Sequence, residues 1–196
     1  HLINALGGLP WRLTLAIASV LTVTGGLIAD RLGADGPYAT RGAAFDPSQL
    51  RAIVADRRFR LASAGYFGHM WELYAMWVLV PAVLATRMSG TALSWAAFIV
   101  LGAGALGCAV GGWLALRVGS ARVAGSQLAL SGLCCVAAPW MLDAPAPLFF
   151  GWLLIWGITV AGDSPQFSTL TAMNAPRSAV GSVLTLTNSI GFAISI

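Results

Sequence analysis

Between Arg60 and Arg87 the chain runs for twenty-six residues, Leu61 to Thr86, with a single charged side chain, Glu72. A helix of that length rises about 39 Å, enough to cross a bilayer with some tilt. With no water to serve its backbone, a lipid-embedded segment has to be helical. A carboxylate near the centre of such a span costs about 2.5–3.5 kcal/mol on insertion scales. Glu72 is therefore the first candidate for chemistry, and His69, one near-turn before it, is its neighbour on the helix surface.

The rest of the chain follows the same pattern. Apolar spans run over Leu13–Ala29, Leu61–Thr86, Leu93–Leu116 and Val123–Leu142, then from Pro147 towards Ala172, and from Val180 to the end. Hydrophobic residues make up 58% and charged residues 9%, where a soluble domain has about a quarter charged. The expected fold is all-α, a polytopic integral membrane helical bundle. The chain opens on His1 and stops at Ile196 inside an apolar run, which predicts an internal piece of a longer protein.

The one long hydrophilic stretch is 30–60, with six Arg and four Asp. Its Pro47–Arg60 part can form an amphipathic helix on the membrane surface. All eleven basic residues are Arg, and they flank spans instead of clustering on a polar domain, so the basic balance points to lipid and not to nucleic acid. Threaded on alternate sides, nine fall with loop 30–60 and two, Arg12 and Arg87, fall opposite. The positive-inside rule places the nine in the cytoplasm of a multi-pass inner (plasma) membrane protein.

Gly102-Ala103-Gly104-Ala105-Leu106-Gly107 matches G-x-G-x-x-G, but it lies inside a span and lacks the preceding strand of a dinucleotide site. It reads better as a small-residue stripe, Ala103, Gly107 and Gly111 beside Gly104, Cys108 and Gly112, that lets helices approach closely. His69-x-x-Glu72 has no second copy, so neither a metal nor a cofactor is expected. Cys108, Cys134 and Cys135 read as packing residues. Asp163 is a second acid within a span if the helix continues past Pro165 and an interfacial residue if it stops near Gly162. Ser164, Gln166 and Ser168 make this region polar, as Thr185, Thr187, Asn188 and Ser189 do the last span. A membrane-embedded sensor or enzyme is the alternative reading, but no nucleophile–base pair stands at helical spacing.

The loop Gly112-Trp113-Leu114-Ala115-Leu116-Arg117-Val118-Gly119-Ser120-Ala121-Arg122 resembles a degenerate copy of the major facilitator superfamily signature, G-x-x-x-D-R-x-G-R-R. Gly112, Arg117, Gly119 and Arg122 match in order, and Leu116 stands in the place of the family's Asp. The layout is similar too: a sixth helix at 13–29 ending an N-terminal half (1–29), a cytoplasmic central loop at 30–60, and an incomplete C-terminal bundle at 61–196. The segments Gly65–Trp77 and Asp163–Ser168 resemble those of a bacterial branch near the nitrate/nitrite and cyanate porters. The resemblance implies a proton- or ion-coupled secondary transporter for a small polar or anionic solute, working by alternating access around a site near the midplane. Its other helices would lie in the preceding part of the same protein. Tyr66, His69, Glu72, Asp163, Gln166 and Asn188 then form the expected substrate or proton path.

Overall fold

The computed structural model describes residues 8, 10–33, 54–177 and 179–195. All regular structure among them is α-helical: α1 (Trp11–Leu32), α2 (Arg57–Ala85), α3 (Gly90–Gly102), α4 (Gly104–Val118), α5 (Ser120–Met141), α6 (Ala146–Gly162), α7 (Ser164–Met173) and α8 (Val180–Ile194). With α3–α4 and α6–α7 each counted as one span, five helices are long and apolar enough to cross a membrane, and α8 is a shorter apolar helix. Residues 1–7 and 9 and the 34–53 part of the hydrophilic stretch lie outside the described residues.

Helix starts follow local chemistry. Asp56 caps α2, its Oδ1 accepting from the backbone N–H of Arg58 at 2.7 Å and of Phe59 at 3.0 Å. The span thus opens four residues earlier than apolarity alone predicts. Arg57–Arg60 belong to the crossing helix, not to a separate surface helix. Gly119 turns the chain from α4 into α5 at φ +88°, a left-handed conformation that a residue with a Cβ adopts only at a cost. In α1, none of whose residues is buried, the hydroxyls of Thr22 and Thr24 bond back to the Ala18 and Val20 carbonyls, so neither is left bare.

The main core lies where α2, α3 and α6 meet. Met76, Val80 and Leu84, spaced four residues apart, form a stripe down α2, fully buried against Ala97, Val100, Phe149 and Leu153. The closest backbone approach is between α4 and α6. A Cβ on Gly107 would land on the Ile158 carbonyl of α6, while one on Gly157 of α6 would land on the Val100 carbonyl of α3. The small-residue stripe is real on its Gly104–Gly107–Gly111 edge, whereas Gly112 faces open space. In lipid this contact matters because burial against another helix gains little over burial against acyl chains, leaving packing to hold helices together.

The ends sort consistently. Phe59 packs with Ala179 and Val183 at one end. At the other, the Arg87 guanidinium bonds the Leu142 carbonyl and lies 4.2 Å over the Phe149 ring. Arg117 stacks on Trp113 at 4.1 Å. The outer surface carries Trp71, Val78, Leu106, Leu133 and Trp140, all well exposed, as lipid-facing walls are.

Candidate functional site

Three polar side chains step along α2 at intervals of three residues: Tyr66, His69 and Glu72. Three residues fall about 60° short of a full turn. Successive members therefore fan across the helix face and meet three different neighbours.

Tyr66 turns to α8, where its hydroxyl donates to Asn188 Oδ1 at 2.9 Å. His69 turns to the junction of α6 and α7, its Nδ1 2.8 Å from Asp163 Oδ1. Glu72 turns to α5, where its carboxylate accepts from the Ser131 hydroxyl and, at 3.4 Å, from the Cys135 thiol. His69 and Glu72 thus take separate partners, and the helical neighbour of the sequence reading is not the tertiary one.

The His69–Asp163 pair is the centre of this arrangement. Both side chains are 1% exposed. The pair is in contact by distance, yet neither nitrogen of His69 and neither oxygen of Asp163 has a hydrogen-bond partner among the described residues. Aromatic rings enclose it: Tyr66 lies 6.2 Å and Phe167 6.0 Å from the imidazole, centroid to centroid. Buried, unpaired polar atoms inside such a wall are expensive, which marks the pair as a feature with a use. His69 stands two residues from residue 71, the middle of α2's range of 57 to 85.

Asp163 owes its place to a break that leaves the span continuous. α6 ends at Gly162 and α7 begins at Ser164, with Asp163 between them at φ −81° and ψ −18°. Pro165 has no N–H to give the Ala161 carbonyl. That carbonyl instead accepts from Cys108 Sγ, at 3.3 Å, on α4. The Asp163 carbonyl starts α7 by accepting from Gln166 and Phe167 N–H, both at 3.0 Å. Both sequence alternatives are thus half realised: the helix stops near Gly162, yet Asp163 is buried within the span.

Gln166 is buried three residues beyond Asp163, while Asn188 is exposed apart from its bond to Tyr66. Of the signature-like loop, Gly119 makes the turn, Arg117 stacks on Trp113, and Arg122 and Leu116 are exposed. Sequence reasoning missed the α5 face. Gln127, Ser131 and Cys135 recur every four residues there, and that polar stripe inside an apolar span is the signal that could have found Glu72's partner. Gln127 also reaches the Gly107 carbonyl at 3.5 Å. Among the described residues no three His, Cys, Asp or Glu side chains converge as a metal would require. Comparisons with protein-family models, with curated proteins and with solved structures give no match to this chain.

Proposed function

We propose that this chain is part of a secondary active transporter of the major facilitator type. It moves a small polar or anionic solute by alternating access and is coupled to protons through His69 and Asp163. The observation that carries the reading is the buried His69–Asp163 contact at 2.8 Å, near the middle of α2 and at the break between α6 and α7. Imidazole and carboxylate both take up and release protons, and ionisable residues inside membrane bundles mark proton relays and substrate paths. A helix interrupted beside such a pair is the kind of backbone that transporters place at their sites. In this reading Tyr66, Asn188 and Gln166 line the solute path next to the pair, and Glu72 with Ser131 is a second protonatable position one step along the fan. The Arg-rich ends face the cytoplasm of an inner membrane, and the preceding helices of the same protein complete the cavity.

The test is uptake by the purified intact protein in proteoliposomes under an imposed pH gradient, with small anions such as nitrate and cyanate among the solutes. Asp163→Asn and His69→Gln are expected to abolish gradient-driven accumulation while solute exchange at equal pH survives. Accumulation that responds to the gradient as in the unsubstituted protein would refute the assignment. Glu72→Gln is expected to shift the pH dependence of uptake, and an unchanged profile removes Glu72 from the proton path.

A further inference from the structure

A cleft of about 440 Å³ opens between the first turns of α2 and α8, away from the His69–Asp163 pair. Its depth is apolar, with Phe67, Val183, Leu186 and Ile190 on the walls, and Arg60 stands in its lining with an exposed side chain. One polar group inside it is unexplained: Ser63 Oγ, in a residue only 7% exposed, has no hydrogen-bond partner among the described residues. Thr187, the other hydroxyl there, is already satisfied, donating to the Val183 carbonyl at 2.8 Å. Ser63 is a donor without an acceptor in an apolar cleft one turn below an arginine.

Among the described residues the charge around the mouth is mostly positive. Arg57, Arg58 and Arg60 all fall in the first turn of α2, whose N-terminal end is already partly positive. Asp56, the nearby acid, is engaged in capping, and among the described residues none of the three arginines makes a salt bridge. Arg60 gives two bonds through Nη1 to the Val54 and Ala55 carbonyls, which leaves the rest of its fork free to bind an anion.

We propose that this cleft binds one anionic phospholipid, its phosphate on Arg60, an ester carbonyl on the Ser63 hydroxyl, and an acyl chain between α2 and α8. The register fits. Three residues of helix separate Arg60 from Ser63 by about 4.5 Å, and the polar zone on each side of a bilayer is about 5–7 Å deep. The ester level therefore falls just below the phosphate, where Ser63 lies, and Phe67 and Ile190 sit deeper, at chain level. A free phosphate could use Arg60 but has no use for the apolar depth. The site depends on the chain lying in a membrane and not on the transport reading.

The test is native mass spectrometry of the purified intact protein titrated with phosphatidylglycerol, with phosphatidylcholine as the uncharged comparison. Phosphatidylglycerol is expected to be retained preferentially. Arg60→Ala should weaken its binding about five-fold, the size of one basic residue near a charged membrane surface, and Ser63→Ala should weaken it as well. Arg122→Ala, a charge at the same end outside the cleft, should leave it unchanged. A photoactivatable phosphatidylglycerol with its label on the acyl chain should mark the wall residues of α2 and α8. Equal retention of the two lipids, equal binding by Arg60→Ala and Arg122→Ala, or displacement by millimolar inorganic phosphate would each overturn the proposal. So would absence of the label from the cleft walls, the outcome if another helix of the protein covers them.

Discussion

His69 and Asp163 are each other's reason for being buried. Removing one partner of a buried ionisable pair leaves an uncompensated polar group, typically at about 3–5 kcal/mol, whereas replacing both with apolar residues of similar volume is often neutral. His69→Phe alone is therefore expected to lower the thermal unfolding midpoint in detergent sharply. The double variant His69→Phe/Asp163→Leu should recover most of the loss while remaining inactive in proton-coupled uptake. A single variant as stable as the unsubstituted protein would show that the contact carries no structural weight. At the mouth of the same helix, the Phe59 backbone N–H is the chief cause holding the Asp56 carboxyl below its ordinary value of 3.8. A lowered folded-state value means that the cap stabilises fully above that ordinary value and fades as pH falls through the lowered one. The stability gap between the unsubstituted protein and Asp56→Ala should thus be open at neutral pH and close in acid. A gap independent of pH would show that the carboxylate charge is not what caps the helix.

Helix pairing in this bundle depends on where a Cβ would go. Gly107 and Gly157 sit against backbone carbonyls of the facing helices, which cannot yield as a flexible side-chain tip can. Overpacking of this kind costs about 1–3 kcal/mol. Gly107→Ala should therefore lower the unfolding midpoint, while Gly112→Ala, five residues along the same helix and facing open space, should leave it unchanged. Equal effects at the two positions would mean that the α4–α6 approach is looser than described. The α6–α7 break works at the same scale. Pro165 removes one backbone donor, the Cys108 thiol serves the carbonyl left behind, and the span continues with an acid turned into its interior.

Across the whole molecule the alternation of helix ends predicts which loops share a side. Ser120 belongs to the end that holds Phe59 and Ala179, and Asp143 to the end that holds Arg87. In a background with the three cysteines replaced, Ser120→Cys and Asp143→Cys should react with a membrane-impermeant thiol reagent from opposite faces of oriented vesicles. The proposed orientation, argued from the positive-inside rule, expects the Ser120 face to be the cytoplasmic one. Labelling of both from one face would break the span assignment.

The spans were legible in the sequence because lipid permits so few solutions. A long apolar run must be a helix, and arginines mark its ends, so α1, α2, α3–α4, α5 and α6–α7 follow from composition and spacing, with boundaries a few residues off where Asp56 or Gly119 sets them. The glycine stripe on α4 was legible for the same reason, as a pattern within one helix. Its partner was not: periodicity along α4 says nothing about Gly157 and Gly162 on a helix some fifty residues later. Nor could the sequence say what Tyr66, His69 and Glu72 meet. One helix defines only the 60° steps between them, and the azimuths of α8, α6–α7 and α5 around it are set by how the whole bundle packs. The sequence by itself therefore determined that the chain is a set of membrane-length helices with acids where acids are expensive. Tertiary structure alone decided that His69 belongs to Asp163 and Glu72 to Ser131, because pairing across helices depends on relative rotation, which no single helix encodes.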